Sequence, residues 1–159
     1  MAIEIERKFV LSELPAELAQ ATGSPIRQGY LIIAADGTEA RVRDKKGRFF
    51  LTLKSGRGLS RTEIEIELSA QQFAHLWPHT DGRRVVKTRY TLPLGGYTAE
   101  VDRFEDALDG LFMAEVEFPS EAASRAFAPP AWFGEEVTED ERYKNRCLAV
   151  HGKPGGKGS

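Results

Sequence analysis

The sequence predicts an α+β, mainly β protein: a closed eight-stranded antiparallel barrel with a charged lumen, and short helices outside it, including a C-terminal helix. Three features support this fold class. Segments of alternating apolar and polar residues recur along the chain, short glycine-containing turns separate several of them, and the polar side of most segments is charged. Connections this short favour antiparallel neighbours over crossover units. Closing the sheet with the charges inside gives such a barrel.

The first predicted strand illustrates the pattern. Successive side chains of a strand point to opposite faces. Ile5 and Phe9 therefore share an apolar face, whereas Glu4, Glu6 and Lys8 share a charged one. The same alternation predicts strands near residues 2–10, 26–33, 38–46, 48–55, 60–68, 83–92, 97–105 and 111–119.

Helix-capping signals interrupt the strands. Ser69 begins a capping-box pattern that predicts a helix directly after it. Ser120 can cap a second, short helix. Thr138 and Glu141 form another capping-box pattern, which predicts a C-terminal helix running to about Val150.

Length and composition limit the classes of function. The 159 residues predict one domain over 1–152 and a flexible tail over 153–159. A net charge of −2 does not suit a nucleic-acid-binding surface, and no long apolar run suggests a membrane segment. Cys147 is the only cysteine, which excludes an intrachain disulfide and a cysteine metal cage. We therefore expect a cytoplasmic protein that binds neither nucleic acid nor membrane.

Carboxylates and cations recur at matching parity on the predicted strands. Glutamate is a poor strand former, and neighbouring carboxylates repel one another, so their repetition needs a compensating partner. The acidic set is Glu4, Glu6, Glu63, Glu65, Glu100, Asp102, Glu115 and Glu117. The basic set is Lys8, Arg41, Arg43, Lys54, Arg61, Lys87 and Arg89. Carboxylates suit hard cations such as Mg²⁺ or Mn²⁺, and guanidinium and ammonium groups suit phosphate oxygens. Together they indicate a metal-bound polyphosphate.

The order of these motifs resembles that of the CYTH superfamily, the triphosphate tunnel metalloenzymes. The chain begins with the ExExK pattern of Glu4, Glu6 and Lys8. The later pairs follow where the family has them: Arg41 and Arg43, Lys54, Arg61 with Glu63 and Glu65, Lys87 and Arg89, Glu100 and Asp102, Glu115 and Glu117, and finally Arg142 to Asn145.

This resemblance implies an enzyme whose tunnel binds a triphosphate together with two metal ions, either Mg²⁺ or Mn²⁺. The expected reaction is hydrolysis of inorganic tripolyphosphate to pyrophosphate and phosphate. A class IV-type adenylyl cyclase, a thiamine triphosphatase or a nucleoside triphosphatase on the same fold stays open, as does a polyphosphate-binding module without activity. The family precedent also allows a homodimer.

The expected roles follow from the same resemblance. The metal ligands come from the acidic set, and the phosphate ligands from the basic set together with Lys144, which either reaches the tunnel mouth or lies in solvent. Glu63 or Glu65 is among the carboxylates expected to orient the attacking water. The catalytic residues are expected to be Glu4, Glu6, Lys8, Glu63 and Glu65.

Overall fold

The structure, a computed structural model, describes residues 5–56 and 62–154. Its strands are β1 (Ile5–Leu11), β2 (Ser24–Ile33), β3 (Glu39–Lys45), β4 (Arg48–Ser55), β5 (Thr62–Leu68), β6 (Arg84–Leu94), β7 (Tyr97–Phe104) and β8 (Phe112–Phe118). Its α-helices are α1 (Ala70–Leu76), α2 (Glu121–Ala126) and α3 (Asn145–His151). Short 3₁₀ helices lie at Ala16–Gln20, Trp77–Thr80, Asp106–Leu108 and Glu141–Tyr143. Each strand falls where the sequence predicted one.

The strands form one eight-stranded sheet in the order β1-β8-β7-β6-β2-β3-β4-β5. Every pair with an assigned register is antiparallel, which confirms the predicted mainly β class. The predicted closure is not found: within residues 5–56 and 62–154, β1 and β5 are the end strands of the hydrogen-bonded order.

The outer edge of β1 is already occupied by a later part of the chain. The amide of Val10 donates to the Glu135 carbonyl at 2.8 Å, and the Val10 carbonyl accepts from the Gly134 amide at 2.8 Å. The Lys8 carbonyl likewise accepts from the Val137 amide at 2.8 Å. A side chain at Gly134 would put its Cβ 2.4 Å from the Val10 oxygen, so this approach requires glycine. We call residues 134–138 the edge segment. It takes up the backbone groups through which β1 could pair with another strand.

The described residues fall into two compact units, the first drawn from residues 1–24 and 87–141 and the second from 25–86 and 142–159. The first unit contains β1, β7, β8, α2 and most of β6. Its apolar core lies on one face of the sheet, where Val101, Ala114 and Val116 are fully buried. Phe118 and Phe127 pack on this core with ring centroids 5.2 Å apart, so α2 lies over the apolar face.

The second unit contains β3, β4, β5, α1, α3 and nearly all of β2. Phe73 of α1 packs against Phe49 of β4 with ring centroids 4.9 Å apart and stacks on Trp77 with ring centroids 5.3 Å apart. The Ser69 hydroxyl accepts from the Gln72 amide, which confirms the predicted capping box. These contacts hold α1 on the apolar face of the sheet. No helix within the described ranges is long and apolar enough to cross a membrane.

The predicted start of the C-terminal helix is wrong. The helix begins at Asn145, not after Thr138. The Thr138 hydroxyl accepts from the Lys8 amide at 3.0 Å and donates to Glu136 at 2.7 Å. Because the edge segment uses this hydroxyl to bind β1, it is not available as a helix cap.

Candidate functional site

The strand register of the first unit places its predicted charged residues on one face. Directly opposed residues of an antiparallel pair project to the same side of a sheet. The opposed pairs are Glu6 with Glu117, Lys8 with Glu115, Glu100 with Glu115, and Arg89 with Asp102. Lys87 has the same parity as Arg89 on β6. These residues form the first charged face, which lies opposite the apolar core of the same unit.

Two of these pairs bring like charges together. Glu6 lies opposite Glu117, and Glu100 lies opposite Glu115. Carboxylates in such positions destabilise a sheet unless something neutralises them. Lys8 approaches Glu115 with 3.9 Å between Nζ and Oε2, and Arg89 approaches Glu100 with 3.5 Å between Nη1 and Oε2. Both contacts are longer than the ion pairs that Asp102 makes on the same face.

Asp102 is the best-compensated carboxylate of the first charged face. Its oxygens lie 2.9 Å from Lys87 Nζ and 2.8 Å and 2.9 Å from two nitrogens of Arg89. Burial alone would raise the pKa of Asp102, but the Lys87 charge and the Arg89 hydrogen bonds outweigh it and lower the pKa to about 2. Burial acts to lower the pKa of Arg89, and the hydrogen bonds and charge of Asp102 reverse this and raise it. Asp102 and Arg89 therefore both stay ionised near neutral pH.

The second unit has its own charged face, defined by the register of β2 to β5. The opposed pairs are Gln28 with Arg43, Tyr30 with Arg41, Glu39 with Lys54, Arg41 with Thr52, Thr52 with Glu65, and Lys54 with Glu63. The predicted phosphate ligands Arg41, Arg43 and Lys54 thus share one side of the sheet with the predicted acidic residues Glu63 and Glu65. We call this side the second charged face.

Lys54 lies at the centre of this second charged face. Its Nζ is 3.4 Å from a Glu63 oxygen. Burial and then the nearby Arg41 charge lower the pKa of Lys54, and Glu63 and Glu39 oppose this. Glu63 is largely exposed, with 62% of its side-chain surface accessible, and Glu65 accepts a 3.2 Å hydrogen bond from the Thr52 hydroxyl. Lys54 is therefore less exposed than Glu63 and Glu65.

Three residues of the second charged face were not among the predicted site residues. Gln28, Tyr30 and Glu39 are all buried on it, with 0%, 1% and 6% exposure. Burial is the main cause that raises the pKa of Tyr30, while Arg41 lowers it by its charge and by a hydrogen bond. Glu39 shares the parity of Arg41 and Arg43, a signal that the sequence contains. Gln28 and Tyr30 lie in a segment without charge alternation, which gives no such signal.

Three further residues were predicted as part of the site: Glu4, Arg61 and Lys144. Glu4 and Arg61 lie outside the described residues. Lys144 is exposed and precedes α3, where its carbonyl accepts from the Cys147 and Leu148 amides at 2.9 Å each. Its predicted role in phosphate binding stays a prediction.

The carboxylates of the first face have the oxygen donors that Mg²⁺ and Mn²⁺ prefer. Opposed pairs such as Glu6 and Glu117 place two of them side by side. In the part of the chain that the structure describes, no group of three or more acidic, histidine or cysteine side chains is arranged to hold a metal ion. The oxygen donors suit a divalent cation by their chemistry, although their arrangement among the described residues is not that of a preformed metal site.

Comparison with known proteins identifies the family. The model of the CYTH domain matches residues 2–146. The chain belongs to the CYTH domain family. The resemblance drawn from the ordered motifs is thereby confirmed, and the match takes in both charged faces.

Individual proteins are similar to this chain over nearly their whole length. An inorganic triphosphatase of Nitrosomonas europaea is 52% identical over 148 residues, covering 92% of this chain and 97% of the relative. An inorganic triphosphatase of Acetivibrio thermocellus is 38% identical over 150 residues, covering 93% and 94%. A crystal structure of an inorganic triphosphatase superposes with a TM-score of 0.80 at 48% identity, covering 94% of this chain and 96% of that one.

Proposed function

We propose that this protein is a metal-dependent inorganic triphosphatase that hydrolyses tripolyphosphate to pyrophosphate and phosphate. The observation that carries the proposal is the charge pattern of the two faces. Cations that suit phosphate oxygens accompany directly opposed carboxylates that suit a divalent cation. The 52% identical relative named inorganic triphosphatase supports the same conclusion across 97% of its length.

The phosphate ligands are the cations of the two faces. Arginine binds phosphate oxygens in a bidentate manner, and lysine supplies a compact charge. Desolvation strengthens such contacts, and Lys87 is 2% exposed while Lys54 is partly buried. The proposed phosphate-binding set is Lys8, Arg41, Arg43, Lys54, Arg61, Lys87, Arg89 and Lys144.

The carboxylates are the proposed metal ligands. Glu6 and Glu117 are directly opposed, as are Glu100 and Glu115, and oxygen donors in this number suit two Mg²⁺ or Mn²⁺ ions. When bound, these ions supply charge neutralisation to the phosphate oxygens. The full proposed set is Glu4, Glu6, Glu63, Glu65, Glu100, Asp102, Glu115 and Glu117.

The chemistry asks the protein for positioning and for charge stabilisation. Phosphoryl transfer passes through a loose transition state whose charge is spread over the phosphate oxygens. In the proposed reaction a water oxygen attacks the terminal phosphorus, the bond to the bridging oxygen breaks, and pyrophosphate leaves with that electron pair. Lys8 neutralises charge near the reacting phosphate. Glu63 or Glu65, both exposed at the edge strand β5, orients the water and takes its proton.

A substrate panel tests the proposal. The protein is incubated with tripolyphosphate, ATP and thiamine triphosphate, each with Mg²⁺, Mn²⁺ or Ca²⁺, and the products are identified. We expect orthophosphate from tripolyphosphate with Mg²⁺ or Mn²⁺. Cyclic AMP from ATP would instead indicate an adenylyl cyclase, and binding without any release would indicate a polyphosphate-binding module.

The proposal also covers the cellular compartment and the oligomeric state of the enzyme. The lone cysteine, Cys147, is compatible with a reducing compartment, and we propose a cytoplasmic enzyme. Light scattering on the same preparation distinguishes a monomer from the homodimer that the family precedent allows.

A further inference from the structure

An uncharged side chain lies fully buried among the cations of the second charged face. Gln28 of β2 has 0% exposure and lies directly opposite Arg43 of β3. Its carbonyl oxygen Oε1 accepts a hydrogen bond from Arg43 Nε at 3.1 Å. Gln28 therefore belongs to the same surface as Arg41, Arg43 and Lys54, although it carries no charge.

The hydrogen bond from Arg43 fixes the orientation of the Gln28 carboxamide. Arginine is only a donor, so the glutamine must turn its oxygen, and not its nitrogen, toward Arg43. The NH₂ group consequently points away from that guanidinium. Within residues 5–56 and 62–154, the Gln28 nitrogen Nε2 has no hydrogen-bond partner. A buried donor without an acceptor is costly, and most buried polar groups in folded proteins do have a partner.

The neighbouring arginine has a donor in the same condition. Arg41 lies on the adjacent strand, on the same face, and its buried Nε also lacks a hydrogen-bond partner among the described residues. The Gln28 NH₂ group and the Arg41 Nε–H are thus two donors without acceptors among the described residues. They lie on neighbouring strands, on the face that carries the proposed phosphate ligands, and Arg41 is two residues from the Arg43 that lies opposite Gln28. Both can be satisfied by a ligand that only accepts hydrogen bonds, and a phosphate oxygen is such a ligand.

We propose that Gln28 binds substrate directly, its NH₂ group donating to a non-bridging phosphate oxygen of the tripolyphosphate. The proposal rests on the proposed triphosphatase function and adds a neutral ligand to the charged ones. A carboxamide nitrogen has no lone pair available for a metal ion. The Gln28 NH₂ group therefore suits a phosphate oxygen and not a metal ion, whereas the buried Glu39 oxygen Oε2 of the same face, which also has no hydrogen-bond partner among the described residues, is an acceptor.

Nuclear magnetic resonance tests the contact without relying on turnover. The Gln28 side-chain NH₂ signals in the full chain are assigned by their absence from a Gln28→Glu variant. The probe is diimidotriphosphate with Mg²⁺, since NH groups in place of its bridging oxygens slow cleavage. We expect the Gln28 NH₂ signals and the Arg41 Nε–H signal to move as the probe saturates. Unmoved Gln28 signals overturn the proposal, whatever other signals move.

The two proposals fail in different ways. Shifts of the Arg41 and Arg43 signals without a shift at Gln28 would reject the glutamine contact and leave the triphosphatase function standing. No shift anywhere, together with no phosphate release from tripolyphosphate, would reject both.

A variant kinetic measurement separates substrate binding from a structural role. Gln28→Glu keeps an oxygen that accepts from Arg43 but removes the donor. We expect KM for tripolyphosphate to rise about ten- to a hundredfold, the range for one hydrogen bond to a charged group, with a smaller change in kcat. The control is Gln71→Glu, the same substitution on the exposed surface of α1, which should leave KM unchanged. Gln28→Glu also adds a negative charge beside the phosphate ligands, so the uncharged Gln28→Met is measured with it; a wild-type KM in Gln28→Met would overturn the contact.

Discussion

The buried ion pairs of Asp102 give the sharpest prediction about this fold. Asp102→Asn removes the charge that Lys87 and Arg89 share, at nearly constant shape. Lys87 is 2% exposed, and its Nζ lies 2.9 Å from Asp102. Removing one partner of a buried ion pair costs about 3–5 kcal/mol, because the other charge is left unpaired in a poorly solvated site. We expect a loss of this size near neutral pH.

The pH dependence of the unfolding free energy isolates the contribution of the Asp102 carboxylate. The pKa of Asp102 falls from its ordinary 3.8 to about 2 in the folded protein, so the folded state favours the ionised form. The corresponding stability, roughly 2 kcal/mol, is present above pH 4 and is lost as the pH falls through 2. In Asp102→Asn this component is absent.

The assay is denaturant unfolding of the wild type and of Asp102→Asn between pH 7 and pH 1.5. Other carboxylates with lowered pKa values, such as Glu136, contribute equally to both proteins and cancel in the difference. Asp81→Asn, a change at an 89% exposed side chain, serves as the control. A difference in unfolding free energy between the wild type and Asp102→Asn that stays constant from pH 7 to pH 1.5 would refute the reasoning.

Three further predictions concern activity and stability. Glu6→Gln should lower the rate of tripolyphosphate hydrolysis at least a hundredfold and leave the circular dichroism spectrum unchanged. The control Glu17→Gln, on an exposed 3₁₀ helix, should leave the rate unchanged. A wild-type rate in Glu6→Gln would contradict the metal assignment. Because its pKa is lowered, Lys54 should lose its charge at a lower pH than an ordinary lysine. KM should then rise as the pH increases toward the alkaline range, and Lys54→Arg should remove that limb of the profile. Glu136→Gln should lower the free energy of unfolding in urea by about 1–2 kcal/mol, because it weakens the 2.7 Å and 2.9 Å hydrogen bonds that Arg7 donates to Glu136. An unchanged midpoint of urea unfolding would exclude a stabilising role for this pair.

The predictions from sequence succeeded where the determining interaction is local. Strand parity depends only on the alternation along one segment, so Glu6 and Lys8 could be assigned to one face of β1 from the chain alone. Turn residues and the Ser69 capping box likewise depend on neighbours within a few positions. The charged faces of the two units were therefore predictable, and so was the family.

The errors arose where two distant segments compete for the same groups. Thr138 has the sequence pattern of a helix cap, yet its hydroxyl binds the Lys8 amide 130 residues away. The same edge segment covers β1 and takes the backbone groups that the predicted barrel closure would use. No local pattern reveals such a competition, because it is decided by which partner is nearer in space.

The sequence by itself determined the strands, the repeated acidic and basic positions along them and the ordered motifs of the CYTH family, because side-chain alternation is a property of a single extended segment. Only the tertiary structure decided which charges oppose one another. Register places Glu6 against Glu117 and Asp102 against Arg89, and it buries the neutral Gln28 beside Arg43. Pairing across strands is a long-range choice fixed by packing of the apolar faces, which is why these partners became visible only in the folded chain.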